Sequence, residues 1–247
     1  MKGLHVLLLI LSLVHTSMGA ELTATQILEK IDKNQVLDHA IVTAKMVIHG
    51  RAGTRTITSK SWSEGKDKSF SEYLSPAREK GKKMLKLGDK LWSYTPEPHD
   101  RTISISGHLL KQSVMGSDLS YEDFMNNDSM VSDYDAKLVG KEKIEGRDCY
   151  VLELTAKRDG VSYARRKIWV DTERFLPVQS DMMAKGGKLL KRALIRESMR
   201  VGSRWYPKSM HFKDMLSTGG GTEYHVESID LKTSIPAQKF TKASLRK

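Results

Sequence analysis

The chain has 247 residues, with 41 lysines and arginines against 30 aspartates and glutamates, which gives a formal net charge of +11 at pH 7. Hydrophobic residues make up 39% and charged residues 29% of the sequence. These proportions exclude disordered and fibrous proteins and favour one large domain or two small ones.

The N-terminus predicts a secretory signal. A positively charged start is followed by an apolar run over residues 4–14 and then by small residues that end in Gly19 and Ala20. The run is too short to cross a bilayer, which needs about 20 apolar residues. We expect residues 1–20 to be removed near Gly19 or Ala20. No cysteine stands there to carry a lipid anchor, so the mature chain of residues 21–247 is expected to be free in the compartment to which it is exported.

The mature chain is basic and has one cysteine, Cys149. Loss of the signal takes away one charged side chain, Lys2, and leaves +10. This charge favours contact with anionic membranes or acidic partners, or else serves solubility alone, and both interpretations stay open. A single cysteine makes no internal disulfide, and its place in a strand-like run indicates a small buried hydrophobe.

A helix is predicted at the start of the mature chain. Thr23 and Gln26 have the spacing of a capping box, and Leu22 and Ile27 have that of a hydrophobic staple. Further apolar residues fall on one helical stripe, so we expect a helix that ends near Asn34 and packs on something apolar.

The rest of the chain is predicted to be a long antiparallel sheet. Alternation of apolar and polar residues begins at 42–48 and recurs in short runs as far as 222–231, with Gly-containing turn signals between them. Short connections join antiparallel neighbours, and a sheet of so many strands is expected to curl. Residues 107–130 interrupt the pattern with irregular apolar spacing. This stretch and the N-terminal helix are the segments available to fill a concave side.

Enzyme motifs are absent from the sequence, so no catalytic residue, cofactor or metal is predicted. His225 and Glu227 share one strand face and could hold a metal or a proton. A solvated polar pair is favoured, because zinc sites usually need three or four protein ligands. Asp118, Glu122 and Asp123 offer carboxylates for acid/base chemistry, but Glu122 and Asp123 are better explained as the first turn of a helix capped by Ser120.

Nucleic acid is not expected as a partner. Basic clusters occur at 78–83, 165–167 and 188–192, but aromatic residues are sparse and no recognition motif accompanies them. These runs are interpreted as solvated strand faces, with contact to a membrane surface as the next alternative.

Several motifs resemble one protein family. They are the tryptophan-bearing hairpin at 90–96, Arg101 and Ile103 on the next strand, the Met-Gly-Ser-Asp stretch at 115–123, and later segments at 146–152, 168–171, 176–177 and 202–207. Together they are similar to the outer-membrane lipoprotein-sorting protein family, in the superfamily of the LolA and LolB lipoprotein carriers. The resemblance covers nearly all of 21–247. It implies a mainly β fold: an unclosed, strongly curved antiparallel β-barrel of about 10–12 strands with helices filling the concave side.

The resemblance also implies an apolar cavity between the sheet and a helical lid. Alternation predicts that the sheet contributes Trp92, Tyr94, Ile103, Ile105, Tyr206, Met210 and Phe212. The lid is predicted to contribute Leu110, Val114, Met115 and Phe124. The competing interpretation is that each of these residues packs in an ordinary hydrophobic core and lines no cavity. Ten methionines in the mature chain favour a surface that repacks around varied apolar ligands.

The implied function is a periplasmic carrier or chaperone that binds acyl chains of lipoproteins or related lipids and transfers them towards the outer membrane. Its expected partners are an inner-membrane transporter, an outer-membrane acceptor and, transiently, the membrane surface. One alternative is an accessory module of a lipid or hydrophobic-solute export system that docks on a membrane partner without carrying lipoprotein. Another is a small lipid or cell-envelope hydrolase, for which the sequence offers no recognisable nucleophile and base.

Overall fold

The computed structural model describes residues 21–35, 37–125 and 129–247. The signal predicted for residues 1–20 lies outside this range. The described chain forms one antiparallel sheet of thirteen strands, one more than the expected upper number, because every predicted alternating run forms a full strand. The strands are β1 His39–Gly50, β2 Gly53–Glu64, β3 Lys68–Ser75, β4 Lys83–Leu87, β5 Lys90–Thr95, β6 Arg101–Ile105, β7 Tyr134–Ile144, β8 Arg147–Ala156, β9 Arg165–Asp171, β10 Pro177–Met183, β11 Leu189–Val201, β12 Arg204–Asp214 and β13 Gly221–Asp230.

The order of the strands explains why the sheet has two free edges. It runs β6-β5-β4-β3-β2-β1-β13-β12-β11-β10-β9-β8-β7, so the first and last strands are neighbours at the centre. Starting from β1, the chain builds one half of the sheet outward to β6. It then crosses to the far edge and builds the other half from β7 back to β13. The sheet is curved but not closed, which confirms the predicted unclosed barrel.

The α-helices all accompany the crossover or precede it. They are α1 Ala24–Gln35, α2 Tyr121–Met125 and α3 Met130–Asp133, and short 3-10 turns occupy Gly107–Lys111, Ala237–Phe240 and Lys242–Leu245. We call residues 106–125 the lid. The face of the sheet that carries α1 and the lid is called the inner face.

Strand register shows that one continuous inner face serves both α1 and the lid. One row of residues crosses five neighbouring strands on the same face. Phe212 lies opposite Ala193, Ala193 opposite Ser180, Ser180 opposite Ile168, and Ile168 opposite Leu152. Phe212 packs against the cluster under the lid, whereas Ile168 and Leu152 belong to the cluster under α1. Both segments therefore cover the same side of the sheet, as the sequence predicted.

The N-terminal helix forms as its sequence predicts. The Thr23 amide donates to the Gln26 side-chain carbonyl at 2.9 Å, and the Gln26 amide donates to the Thr23 hydroxyl at 3.2 Å, which completes the capping box. Ile27, Leu28 and Ile31 are buried in one apolar cluster with side chains of α3, β7, β8 and β9. This apolar stripe, more than helix propensity, stabilises a helix of only three turns.

The outer face of β2 to β5 is apolar as well, and the C-terminal segment covers it. Phe240 and Leu245 are buried against Phe70, Leu85 and Tyr94. Lysines from the same segment lie over aromatic rings: Lys239 Nζ is 3.8 Å from the centre of the Trp62 ring, and Lys242 Nζ is 4.3 Å from that of Trp92. Both faces of this half of the sheet are thus covered.

Cys149 is fully buried on the outer face, next to Val151, Trp169 and Val178. Burial raises the pKa of its thiol to about 11. The thiol therefore stays protonated at neutral pH and acts as a small hydrophobe, as its position in the sequence predicted.

We predict that Ile31→Ala lowers the free energy of unfolding by about 2–5 kcal/mol, because it leaves a cavity under a fully buried side chain. The measurement is urea unfolding followed by circular dichroism. Thr25→Ala, at an exposed position of the same helix, is the control and should change the free energy by less than about 0.5 kcal/mol. Equal effects of the two substitutions would contradict the packing of α1 on the sheet.

Candidate functional site: the lid and the inner face

A tight turn shapes the middle of the lid. Met115 and Gly116 have φ angles of +54° and +69°, and Ser113 and Ser120 on either side of the turn form an antiparallel bridge. Arg55 from β2 donates to the Met115 carbonyl at 2.7 Å. A side chain at Gly116 would begin 3.0 Å from the same guanidinium, so glycine allows this arginine to approach the turn.

The lid rests on the sheet through an apolar interface. Val114 and Leu119 are buried at its centre. Strands β1 to β6 and β12 to β13 supply the opposing side chains, and the partly buried lid residues surround them. The sheet residues of this cluster are Met46, Ile48, Ile57, Tyr73, Met84, Leu91, Ile105, Phe212 and Tyr224, and the outer lid residues are Leu109, Leu110, Met115, Tyr121, Phe124 and Met125.

Asp118 ties the lid to the edge of this interface at β12 and β13. Its carboxylate accepts from the Thr222 hydroxyl at 2.7 Å and from the Asp214 amide at 2.9 Å. The Asp118 amide in turn donates to the Thr222 hydroxyl oxygen at 2.9 Å. Thr222 is fully buried, so these hydrogen bonds form away from water and fix the position of the lid.

Asp123 makes a second attachment, to β11 and to the chain that enters β9. The Lys191 ammonium forms an ion pair with its carboxylate, and the Tyr163 hydroxyl donates to it at 2.7 Å. The Ser120 amide donates at 2.7 Å, so this aspartate also closes the first turn of α2. Burial alone would raise the pKa of Asp123, but the Lys191 charge and these hydrogen bonds outweigh it and hold the pKa below the usual range.

Three tyrosines lie on the inner face, two under the lid and one nearer α1. Burial raises the pKa of Tyr73, Tyr206 and Tyr224, so their phenols stay neutral at pH 7. The Tyr73 hydroxyl donates to the Met84 sulfur at 3.3 Å. Tyr206 also borders a cleft of about 130 Å³ near the C-terminal end of α1, together with Ala40 and Val42. The inner face is therefore apolar with neutral hydroxyl groups.

The structure brings most of the predicted apolar residues together. Six of them lie in the cluster between lid and sheet: Ile105, Leu110, Val114, Met115, Phe124 and Phe212. Met210 faces the same side as Phe212, opposite Tyr224. Ile103 shares the face of Ile105 but is 36% exposed at the open edge.

The predicted face of Trp92 and Tyr94 is wrong. Both pack in the outer cluster under Phe240 and Leu245, away from the lid. The reason is the twofold alternation of β5, in which Leu91 takes the inner face opposite Ile105. Since both faces of this strand are apolar, the sequence did not distinguish them.

Sequence reasoning missed the polar residues that hold the lid. The sequence places Asp123 in a helix start and assigns no role to Asp118, and it does not single out their partners Thr222, Tyr163 and Lys191. The Met-Gly-Ser-Asp stretch was the available signal, since it marked this segment as unusually specific.

The other polar groups considered from sequence also find partners. His225 lies 2.9 Å from the Glu223 carboxylate rather than next to Glu227, which pairs with Lys45. Within residues 21–35, 37–125 and 129–247, no group of three or more His, Cys, Asp or Glu side chains has the geometry to hold a metal ion. The helices in these ranges are all too short or too polar to cross a membrane.

Comparison with known proteins identifies the fold. A family model described as "uncharacterized protein"-like matches residues 65–247, and no curated protein matches the chain. A DUF1329 family protein from Desulfovibrio piger is 26% identical, with a TM-score of 0.83 over 90% of this chain and 98% of its own. A LolA superfamily protein from Nitrosomonas europaea is 25% identical, with a TM-score of 0.74 over 91% of this chain and 100% of its own.

A third similar structure is an outer membrane lipoprotein-sorting protein domain from Vibrio parahaemolyticus. It is 21% identical, with a TM-score of 0.80 over 91% of this chain and 98% of its own. At this identity the likeness concerns the fold alone. The three structures together confirm the resemblance stated from the sequence motifs.

We predict that Lys191→Met lowers the free energy of unfolding by about 3–5 kcal/mol, because it leaves the buried Asp123 carboxylate without its counter-charge. Adding Asp123→Asn should restore much of the loss, since the remaining amide carries no charge. Urea unfolding of both variants measures this. Lys208→Met breaks an exposed pair with Glu197 and should cost less than about 1 kcal/mol. A loss in the double variant as large as in Lys191→Met would contradict the assignment.

Proposed function

The chain belongs to the "uncharacterized protein"-like family whose model matches residues 65–247, and from this family and its LolA-like fold we propose that it is a periplasmic carrier of lipid acyl chains. Its cargo would be the acyl chains of lipoproteins or related lipids, bound between the inner face and the lid. The LolA superfamily protein from Nitrosomonas europaea, which matches over its full length, supports a carrier role in general.

The observation that carries the proposal is the methionine-rich interface under the lid. Met46 and Met84 on the sheet meet Met115 and Met125 on the lid within one apolar cluster. Unbranched thioethers change rotamer readily and fill irregular space. An interface of this kind can repack around an inserted alkyl chain with less strain than one built from β-branched residues.

The physical need for a carrier follows from the cargo. Each methylene that leaves water contributes about 0.8 kcal/mol, so a long acyl chain does not cross an aqueous space unaided. A carrier must shield the chain and still release it. Here the cover is a short segment whose directional attachments are centred on Asp118 and Asp123, and displacing it would expose the apolar inner face to the cargo.

The uncovered part of the inner face offers a place for cargo to begin. Ala40 and Val42 line the cleft beside Tyr206. Ser61 and Ser63 lie opposite these residues on β2. Their small side chains leave room beside α1 that the lid does not fill. An alkyl chain entering there would reach the lid interface along β1.

The carrier proposal includes the location and partners inferred from sequence. The signal predicted for residues 1–20 would deliver the chain to the periplasm. Its donor would be an inner-membrane transporter and its acceptor a component of the outer membrane. The mature charge of +10 would favour approach to anionic membrane surfaces.

A second candidate is an accessory module of a lipid or hydrophobic-solute export system that docks without cargo. The observation in its favour is the close packing of the lid, with Val114 fully buried and Leu119 nearly so. A lid that never leaves the sheet would make the inner face an ordinary core. Ligand binding in solution separates the two candidates.

We predict that the protein without its signal binds a fluorescent fatty-acid probe, and that Phe212→Asp abolishes binding because it places a charge on the apolar inner face. Titration of probe fluorescence measures this, with circular dichroism to verify folding. Val139→Asp, on the exposed part of edge strand β7, is the matched control and should bind as the parent does. No probe binding by the folded parent would favour the docking module.

We also predict that Thr222→Val speeds probe uptake by about 5–30 fold, the range that corresponds to 1–2 kcal/mol. Valine has a similar shape but removes both hydrogen bonds to Asp118, so the lid opens more easily. Stopped-flow fluorescence measures the rate. Thr233→Val removes a surface hydroxyl bonded to Asp230 and should leave the rate unchanged. Equal uptake by Thr222→Val and the parent would mean that this attachment does not limit lid opening.

A further inference from the structure

The two ends of the sheet differ in charge. In an antiparallel sheet successive hairpin turns alternate between the ends, and the pairing of His49 with Gly221 puts the β12–β13 turn at the same end as the β1–β2 turn. We call this end, with turns 51–52, 76–82, 96–100, 157–164, 184–188 and 215–220, the basic end. Its charged turn residues are Arg51, Arg78, Glu79, Lys80, Lys82, Glu97, Asp100, Lys157, Arg158, Asp159, Lys185 and Lys188, a net charge of +4.

The hairpin turns at the opposite end carry the reverse sign. Their charged residues are Lys66, Asp67, Asp89, Glu145, Glu173 and Arg174, a net charge of −2. The excess positive charge of the turns is therefore concentrated at one end. The solubility of an exported protein does not require this separation of charge, since charges of both signs interspersed over the surface keep a protein soluble equally well.

Five of the cations at the basic end are available for binding. Arg51, Arg78, Lys80, Lys185 and Lys188 are all exposed. No ion pair joins any of them to a carboxylate among the described residues. Two of them, Arg78 and Lys80, border a cleft of about 630 Å³ together with Lys82, His99 and Arg101, and Glu97 is its one acidic lining residue.

The most exposed large apolar side chains of the described chain stand at the same end. Met215 is 43% and Leu216 is 58% exposed, in a turn that contains no charged residue. The turn is held by its own hydrogen bonds. The Leu216 amide donates to the Asp214 carboxylate at 2.8 Å, and Lys213 Nζ donates to the Ser217 carbonyl at 2.8 Å.

The glycines that follow fix this turn against the neighbouring hairpin. The Gly220 amide donates to the His49 carbonyl at 2.7 Å, and a side chain at Gly219 or Gly220 would begin 2.9 Å from His49 atoms. The turn is thus anchored at its base while Met215 and Leu216 project into water. Exposed apolar groups on a fixed support mark a contact surface.

We propose that the basic end is a docking surface for an anionic lipid bilayer, in which Met215 and Leu216 insert among the acyl chains while the surrounding cations bind lipid phosphates. Basic residues close to an anionic membrane and a small apolar insertion reinforce each other. The five available cations are spread over three hairpin turns, which suits a fluid layer of headgroups better than the fixed carboxylates of an acidic protein. This inference goes beyond the proposed function, since it holds whether or not the interior carries acyl chains.

Docking in this orientation brings the lid to the membrane. Gly116 and Ser117 of the lid turn border a cleft of about 520 Å³ with Arg51 and Leu216. The turn that Arg55 holds therefore lies next to the inserted side chains. If the interior carries acyl chains, they would enter or leave at the lipid surface.

The test is co-sedimentation of the protein lacking residues 1–20 with phosphatidylcholine vesicles and with vesicles containing 30% phosphatidylglycerol, at low and at high salt. We expect binding to the anionic vesicles only, weakened by salt. The double substitution Met215→Ser with Leu216→Ser should lower the partition coefficient by about tenfold or more. Val139→Ser, an exposed apolar residue on edge strand β7, should leave it unchanged.

Two matched double variants test whether vesicle binding depends on the basic end or only on the net charge of the protein. Lys80→Gln with Lys188→Gln, at the basic end, should lower the partition coefficient by about 30-fold. Lys66→Gln with Lys90→Gln, at the opposite end, removes the same charge and should have little effect. Equal losses in the two pairs, full binding by the serine variant, or binding to polyglutamate but not to vesicles would each overturn the proposal.

Fatty-acid probe binding in vesicle-free solution keeps this result separate from that of the carrier proposal. The basic-end variants should bind the probe as the parent does, because none of their substitutions lies on the inner face. If the parent protein binds vesicles but not the probe, the carrier proposal is wrong and the docking surface is supported. Probe binding without vesicle binding would do the reverse.

Discussion

The structure depends on one constraint of connectivity: the chain must cross from the free edge at β6 to the free edge at β7. Because the first and last strands pair at the centre, the two halves of the sheet are built from opposite directions and are joined by a single crossing. That crossing runs over the inner face and includes the lid. The lid follows directly from edge strand β6, and its middle, around Met115 and Gly116, is held to the sheet by Arg55 and Asp118.

Two kinds of interaction hold this crossing on the sheet. Apolar contacts around Val114 and Leu119 supply attraction without direction. Asp118 and Asp123 supply direction, because their carboxylates bind Thr222 on β13 and Lys191 on β11, which are strands far from the lid in sequence. Buried ionic groups of this type seldom add much net stability, and their value lies in specifying one arrangement. Apolar packing thus draws the lid onto the sheet, and the two aspartates fix its position there.

The sequence predicted what is encoded locally. The capping box at Thr23, each alternating run and the apolar interruption before β7 are local patterns in the sequence, and all three appear in the structure. Contacts between residues far apart in the sequence were not predictable. Asp118 bonds to Thr222 across 104 positions, and nothing local indicates that pairing. Trp92 was put on the inner face because an apolar cover on both sides of β5 removes the polar contrast that normally identifies a face.

The pairing of β1 with β13 also bears on how the molecule is made. Ile41 and Asp230 are opposite each other although almost the whole mature chain lies between them. Contacts of such large sequence separation form late and slowly, because loop closure precedes the gain from the contact. Each half-sheet can assemble from local hairpins as the chain emerges, but the two halves join only when the final strand arrives. Before the final strand arrives, the central edge of each half-sheet has no pairing partner, and unpaired strand edges favour misassembly.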